Sequence, residues 1–262
     1  MMDAGTGLAL LGSAKILEKL LGPTADYIGE GVKNWAQKRT YNVKNIFSIA
    51  ITKLGNKIEN EGTISPKVLK GVLDEGSFCD DPLSSEYFGG VLASSRTGIS
   101  RDDRGVTFIK LISGLSTYQI RSHYIFYHVI KRLFDGTSIN FGTSEGRSQM
   151  KVYVPFNIFV EAMDFDEKEN INVLIGHIMF GLQKEKLIED FFLYGSKEYI
   201  EKHFNKATTS GIIFQPSSLG IELFFWAYGK ADLTNNDFFK PENKFEINNK
   251  INIKMGYMKT KE

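Results

Sequence analysis

Apolar residues in the N-terminal half recur at the three- and four-residue spacing of α-helices. From Pro23 to Leu54 they form one stripe, which predicts a long amphipathic helix over about residues 23–54. A helix of about thirty residues would be about 45 Å long, because each residue adds about 1.5 Å. This length exceeds what a small core requires and indicates a helix that contacts a partner.

The block 65–134 contains three short helical patterns followed by a longer one. A serine–proline pair at Ser65 and an aspartate–proline pair at Asp81 have the residue types that begin helices. Asp102 or Asp103 can cap the third helix in the same way. Helices this short are not stable alone, so they must pack on a larger element.

Two features indicate how these helices pack. Gly89 and Gly90 interrupt an apolar face and lower helix propensity by about 1 kcal/mol each relative to alanine, which predicts close approach of another helix. The segment after Ser116 has apolar side chains on two opposite faces. We therefore expect it to be the central helix, buried on two sides.

The second half of the chain has shorter and more varied patterns. Residues 135–150 are rich in glycine, serine, threonine and asparagine, which predicts a loop or linker. A short strand from Lys151, a helix over Ile171–Leu182, a strand from Gly211 and an apolar helix at 217–228 then predict an α/β unit. Their order is compatible with a winged helix, and the polar end of the chain can add an edge strand.

The predicted fold is mainly α: a helical bundle with a long N-terminal amphipathic helix and a smaller C-terminal α/β, winged-helix-like unit. The bundle is centred on the block 65–134. The chain is expected to divide into a helical domain, a linker, the α/β unit and a polar tail, at residues 1–134, 135–150, 151–230 and 231–262.

Composition restricts the cellular setting more than the function. The chain has 262 residues, 42% of them hydrophobic, and a formal charge of +1, which indicates a folded protein and favours no class of partner. A single cysteine forms no intrachain disulfide and suits a reducing cytoplasm. Residues 5–21 are apolar but shorter than the roughly 20 residues that span a bilayer. We expect them to dock on the body of the protein or on a second subunit, with peripheral membrane contact as the alternative.

The central block also resembles a known family. The stretch VLDEGSFCDD…EYFGGVLASSR…ISRDDRGVTFIKLISGLSTYQIRSHY is similar to the abortive-infection alpha family of bacterial anti-phage proteins, which is largely of unknown function. The similarity covers about residues 20–130. It consists of a proline-led helix, an acidic turn, an aromatic residue followed by Leu-Ala-Ser, and a Leu-Ser helix start, at Pro66, Asp80 and Asp81, Phe88 with Leu92–Ser94, and Leu115–Ser116. These residues pack and cap helices, so the resemblance implies a role in phage or mobile-element defence and no particular chemistry.

Two polar turns in the block are candidate sites. In the first, Cys79 would be a nucleophile and Asp80 and Asp81 its acidic neighbours. A nucleophilic thiol needs a nearby base to lower its pKa, and the sequence does not identify one. We therefore favour a small buried cysteine beside a helix cap.

The second turn contains Arg101, Asp102, Asp103 and Arg104. Its aspartates would bind a metal ion or act as acid and base, and its arginines would bind phosphate. A helix cap with paired surface charges, worth about 1 kcal/mol, explains the same residues and is the interpretation we favour. We predict no catalytic residue and treat both turns as candidate binding sites.

The histidines and the remaining motifs indicate neither a metal site nor a cofactor. His123 and His128 are five residues apart, about 140° around a helix, and cannot chelate one ion together. His177 and His203 are isolated in sequence, so all four are expected to be ordinary surface or partly buried residues. The sequence contains no nucleotide-binding loop and no HExxH motif. The helix at 217–228, the candidate recognition helix, has no basic residue, so specific nucleic-acid binding is not expected.

These patterns and the resemblance together predict a non-enzymatic, cytoplasmic protein of anti-phage defence that acts by protein–protein recognition or as a toxic effector. A homo-oligomer or another protein partner is expected, through the long helix or residues 5–21, and no cofactor. Three alternatives remain open. They are a membrane-permeabilising effector, a DNA-binding regulator, and a hydrolase or nuclease that uses the 101–104 turn.

Overall fold

The computed structural model describes residues 31–99, 101–245 and 251–260, with the backbone alone for residues 31–36. These residues form ten α-helices and six strands, which confirms the prediction of a mainly helical protein with a small α/β unit. The helices are α1 Gly31–Leu54, α2 Pro66–Asp74, α3 Pro82–Ser94, α4 Gly105–Gly114, α5 Thr117–Phe134, α6 Ser144–Gln149, α7 Phe156–Met163, α8 Ile171–Lys184, α9 Lys197–Glu201 and α10 Ser218–Ala227. The strands are β1 Thr63–Ile64, β2 Arg96–Thr97, β3 Val152–Pro155, β4 Ile188–Gly195, β5 Gly211–Pro216 and β6 Met258–Lys259.

The described part of the long helix, α1, ends at Leu54 as predicted. Residues 23–30 of the predicted helix, and the apolar segment 5–21, lie outside the described residues. Along α1, Ile46 and Ala50 are buried against the rest of the protein, and α3 is the helix that it contacts most extensively. A short 3₁₀ turn, Gly55–Glu59, continues the chain from its end.

Helices α2 and α3 begin where the sequence predicts, whereas the predicted cap of α4 is wrong. The Asp81 carboxylate accepts a hydrogen bond from the Ser84 N–H at 2.7 Å and caps α3. Ser65 and Pro66 begin α2. The expectation that Asp102 or Asp103 caps α4 is wrong, because α4 begins only at Gly105 and Arg104 occupies the cap position without a side-chain hydrogen bond.

The glycine pair in α3 lets two helices approach it closely, as predicted. A Cβ atom on Gly89 would lie 2.5 Å from the Ile49 side chain of α1. One on Gly90 would lie 1.9 Å from the backbone oxygen of Ala227 at the end of α10. Both distances are shorter than any real contact, so α3 fits between α1 and α10 only because these positions have no side chain.

Helix α5 is the central helix, as expected from its two apolar faces. Twelve of its eighteen residues are buried. It contacts α3, α7, α8, α10 and strand β5. A single hydrophobic cluster extends from Ile46 on α1 to Tyr257 near β6, so the helices and the sheet share one core.

The α/β unit is built on an antiparallel sheet in the order β4–β5–β3–β6. Val152, Val154 and Phe214 point into the main core, whereas the alternate residues Tyr153 and Ile213 lie in a second cluster on the opposite face. The segment between β4 and β5 covers that second face with the buried side chains of Ile200, Phe204 and Ala207. Strand β6 is the edge strand that the polar end of the chain was expected to add.

The α/β unit and its flanking helices have the order α5, α6, β3, α7, α8, β4, α9, β5 and α10. The likeness to a winged helix stays a prediction. Residues 217–228, named from the sequence as the candidate recognition helix, cannot have that role, because α10 lies in the core with Trp226 and most of its other residues buried. Its apolar composition is the composition of a core helix.

The predicted loop at 135–150 contains helix α6. The Thr143 hydroxyl accepts a hydrogen bond from the Gly146 N–H at 3.0 Å, and Arg147 reaches Glu189 on β4 at 2.6 Å. A cap and an ion pair thus order residues whose composition alone indicated a loop. The division of the chain at this stretch stays a prediction.

Candidate functional site

The first candidate turn borders a surface depression of about 670 Å³, which we call the acidic depression. Its charged lining residues are the carboxylates of Glu75, Asp80 and Asp81. Apolar side chains form its floor, and they are Phe88, Ile112, Leu115 and Ile120. Phe78 stands at its border with 56% of its surface exposed.

The aspartates of this turn hold the local fold. Asp81 accepts hydrogen bonds from both the N–H and the hydroxyl of Ser84, at 2.7 and 2.6 Å. Asp80 accepts one from the Asn42 amide at 3.0 Å and pairs with the Lys38 ammonium at 2.8 Å. The Arg39 guanidinium lies 4.3 Å from the centre of the Phe78 ring. These contacts hold the turn against α1.

The thiol of Cys79 is held in a position that suppresses its reactivity. It is half-buried, 3.5 Å from the Asp81 carbonyl oxygen and 3.7 Å from the Ser85 hydroxyl. Burial raises the pKa of this thiol, so the thiolate that nucleophilic attack requires is disfavoured at neutral pH. This geometry supports the interpretation of Cys79 as a small packing residue.

The second candidate turn is a set of paired surface charges. Arg104 donates two hydrogen bonds to the Asp102 carboxylate, each at 2.9 Å, and this contact lowers the pKa of Asp102. Asp103 pairs with Lys67 of α2 at 2.9 Å, and Arg101 is exposed to solvent. The two aspartates thus engage different cations of their own chain and do not share a ligand.

Arg104 also lines a second depression, of about 240 Å³, which shares no residue with the acidic depression. At its wall the Arg96 guanidinium donates to the carbonyl oxygens of Lys57, Ile58 and Asn60, at 3.0, 3.1 and 2.6 Å. Arg96 thereby satisfies carbonyl groups that the turn after α1 would otherwise leave open. The two candidate turns therefore border two separate depressions.

Two sets of buried polar contacts at the centre of the protein were not expected from the sequence. The Lys53 ammonium of α1 and the Glu86 carboxylate of α3 form an ion pair at 2.8 Å, with 8% and 3% of their side-chain surfaces exposed. The ring nitrogens of His123 lie 2.7 Å from the Tyr87 hydroxyl and 2.9 Å from the Gly220 carbonyl oxygen. The ion pair joins α1 to α3, and the His123 contacts join α5 to α3 and α10.

The expectation that His123 is a surface or partly buried residue is wrong, because it is completely buried. Burial lowers its pKa to about 3, so the ring is neutral at neutral pH. His128, half-buried and 2.5 Å from the Tyr228 hydroxyl, has its pKa lowered to about 3 mainly by burial as well. His177 and His203 are exposed, as expected.

An exposed apolar surface lies on α8. Val173 is 65% exposed and Phe180 is 58% exposed. The Phe180 ring meets Phe192 of β4 edge-on at 5.3 Å, and Phe192 stacks on Tyr194 at 6.3 Å. We call the set Val173, Gly176, Phe180, Phe192 and Tyr194 the α8 surface.

Sequence reasoning missed this surface because it followed the buried stripe of the same helix. That stripe, which includes Ile175, Ile178 and Leu182, is buried as predicted. Val173 and Phe180 lie off the stripe, seven residues apart. Their spacing is the one signal in the sequence that indicates a second apolar face.

Neither a metal centre nor a membrane span is found in the part of the chain that the structure describes. Across residues 31–99, 101–245 and 251–260, no three histidine, cysteine, aspartate or glutamate side chains come together as ligands for a metal ion. Within the same ranges, no helix combines the length and the apolar character needed to cross a bilayer. No protein-family model, curated protein or solved structure matches the chain.

Proposed function

We propose that this chain is a non-enzymatic, cytoplasmic protein of bacterial anti-phage defence, of the abortive-infection type, that acts by protein–protein recognition. The resemblance of residues 20–130 to the abortive-infection alpha family supports the defence context. The exposed apolar side chains of the α8 surface support the proposal that the chain recognises a protein. Val173 and Phe180 of this surface are 65% and 58% exposed.

The chemistry of this surface favours a protein over nucleic acid. Besides Val173 and Phe180, the exposed residues of α8 are Asn172, His177 and Lys184. Nucleic-acid binding is dominated by contacts of lysine and arginine with phosphates, and one lysine at the end of the helix supplies little of that energy. Exposed aromatic and aliphatic side chains are instead typical of the centre of a protein interface.

The partner that fits best is a second copy of this chain. Val173 and Phe180 are seven residues apart, with Gly176 near their midpoint. If two α8 helices pair antiparallel about a twofold axis, each Val173 faces Phe180 of the other copy, because a twofold interface is self-complementary. Gly176 at the axis, without a side chain, would let the helices approach closely.

The native mass of the full-length chain tests this proposal. We expect the wild type to be a dimer by light scattering and Phe180→Asp to be a monomer with unchanged circular dichroism, because a buried unpaired carboxylate opposes association. The matched control is Ile51→Asp, an apolar residue of α1 that is 54% exposed. It should leave the mass unchanged. A monomeric wild type would contradict the dimer, and dissociation by Ile51→Asp instead would assign assembly to α1.

The defence role is tested with the same variants in bacteria challenged with phage. Cells that express the wild type or Ile51→Asp should be protected, whereas cells that express Phe180→Asp at the same level should not. Equal protection by all three proteins would show that the α8 surface has no part in defence. Loss of protection by Asp102→Ala with retained folding would favour the hydrolase alternative.

A further inference from the structure

The outer edge of the sheet is open at strand β4. Among the strands of residues 31–99, 101–245 and 251–260, β4 and β6 stand at the two ends of the order β4–β5–β3–β6, and each pairs on one side only. Strand β6 has two residues, whereas β4 has eight. An open edge presents a row of N–H and C=O groups to any other strand, so a long edge requires protection or a partner.

The register of the sheet shows which backbone groups of β4 are open. The Phe156 N–H donates to the Ser210 carbonyl oxygen at 3.0 Å, and these two residues continue the β3–β5 register directly opposite each other. Hydrogen-bonded and non-hydrogen-bonded pairs alternate along an antiparallel ladder. Ile212 and Phe214 therefore bond to β3, and Ile213 between them bonds to β4.

The open groups belong to Phe192 and Tyr194. Leu193 of β4 lies opposite Ile213 and bonds to β5. The N–H and C=O groups of the two residues that flank Leu193 therefore point away from β5, to the open edge. No loop of the described ranges donates to these groups or accepts from them. Two N–H and two C=O groups thus stand in the arrangement that a further strand would continue.

The two halves of β4 differ in their protection against a further strand. In the first half, a bulge interrupts the ladder between Ile188 and Phe192, and Glu189 and Asp190 are charged. Bulges and charges are devices that prevent edge-to-edge pairing. The second half, Phe192–Gly195, has a regular ladder and neither a charged residue nor a proline. The protection therefore stops where the open backbone groups begin.

We propose that the second half of β4 pairs antiparallel with the same segment of a second copy, so that the two sheets become one continuous sheet. With the twofold axis at Leu193, Phe192 of each copy faces Tyr194 of the other, and the open groups form four hydrogen bonds. Extension of this register places Asp190 near Ser196, so no like charges are opposed. The proposal rests on the proposed dimer and gives it a second contact beside the α8 surface.

The α8 surface and the β4 edge can share one twofold axis. Phe180 of α8 meets Phe192 of β4 at 5.3 Å. A Cβ atom on Gly176, one turn earlier, would lie 3.5 Å from the Tyr194 hydroxyl. Helix and strand thus run in opposite directions, and the twofold point of α8 near Gly176 lies over Tyr194, within about one strand residue, 3 Å, of Leu193. One axis therefore serves both contacts.

A disulfide at the proposed axis tests the register in the full-length chain. In the Cys79→Ser background, Leu193→Cys places two thiols opposite each other at a Cα separation of about 4.5 Å, which a disulfide can bridge. We expect mild oxidation to give a covalent dimer. The matched control is Phe191→Cys on the same strand, which is 36% exposed. The two copies of that position are displaced by about 13 Å along the sheet, so they should stay unlinked.

A proline tests the hydrogen bonds. Tyr194→Pro removes the open N–H, which the single chain does not use, and proline is tolerated at such edge positions. Tyr194→Val removes the same ring and keeps the N–H. We expect the dissociation constant of the dimer to be about thirtyfold higher for Tyr194→Pro than for Tyr194→Val, because each dimer loses two hydrogen bonds. Equal constants would contradict the pairing, and if Tyr194→Pro loses its circular dichroism, the disulfide decides alone.

The outcomes separate this proposal from the proposed function. A dimer that Phe180→Asp dissociates, but in which Leu193→Cys forms no disulfide or links no faster than Phe191→Cys, would overturn the β4 pairing and leave the α8 dimer standing. A Leu193→Cys disulfide that persists together with Phe180→Asp would support the β4 pairing and overturn the role of the α8 surface. A monomeric wild type without a disulfide would overturn both, and this is the result expected if the β4 edge binds a strand of a different protein.

Discussion

Helices α3 and α8 have nearly the same length, thirteen and fourteen residues, and opposite surroundings. In α3, twelve residues are buried, although the helix contains a glutamate and two adjacent glycines. In α8, only four residues are buried, although its sequence is apolar, and it exposes Val173 and Phe180. Which residues are buried therefore depends on how closely the helices pack and on whether polar side chains find partners. Apolar composition alone does not determine it.

The largest effect is expected where α3 buries a charge. Glu86→Ala removes the partner of the Lys53 ammonium, which is 8% exposed, and leaves a buried unpaired charge. We expect a loss of about 3–5 kcal/mol in the free energy of unfolding. Adding Lys53→Met should recover most of that loss, because no charge then remains buried. Chemical denaturation of the wild type and the two variants measures both changes in the free energy of unfolding, and a Glu86→Ala protein as stable as the wild type would show that the pair is solvated.

A glycine-to-alanine substitution in each helix tests the comparison between α3 and α8. In Gly90→Ala the new methyl group would lie 1.9 Å from the Ala227 backbone oxygen, so α3 and α10 must separate, at a cost of about 3 kcal/mol. In Gly176→Ala it would meet only the Tyr194 hydroxyl, at 3.5 Å, an ordinary contact. In the Phe180→Asp background, where the proposed dimer does not form, Gly176→Ala should raise the stability by about 0.5–1 kcal/mol through helix propensity. Thermal unfolding of both variants checks the contrast, and equal effects would contradict it.

Local sequence signals predicted the parts of the structure that depend on neighbours in sequence. The cap at Asp81, the end of α1 at Leu54 and the glycine pair of α3 each follow from a few adjacent residues. The pairing of Asp102 with Arg104 also lies within one turn. The cap at Asp81 and the surface charge pair at Asp102 were therefore accessible from the sequence, whereas the cap predicted at Asp102 or Asp103 was wrong.

The remaining features depend on residues that are distant in sequence. His123 is buried because Tyr87 and Gly220, 36 and 97 residues away, supply partners for its two ring nitrogens. The buried helix α10 was named as a candidate recognition helix because α8 and α10 show similar apolar patterns, and only their places in the fold distinguish them. A pattern identifies a helix and a face, but the faces that meet are determined by tertiary packing.

A further effect concerns pH, and it tests whether the buried contacts between α3 and α5 are closed to water. The unfolded chain binds a proton on His123 below about pH 6.5, whereas burial lowers the folded pKa to about 3. The unfolded state thus holds more protons between these values, so stability is fully present above about pH 6.5 and is lost as the pH falls towards 3. The contribution of His123 to this loss should reach about 2 kcal/mol at pH 5, since each pKa unit corresponds to about 1.4 kcal/mol, and His128 adds a loss in the same direction. His123→Gln should reduce this pH dependence, and His203→Gln, at an exposed site, should retain it. An unchanged pH dependence in His123→Gln would mean that water reaches the ring, and the contrast between a closed α3 and an open α8 would then not hold.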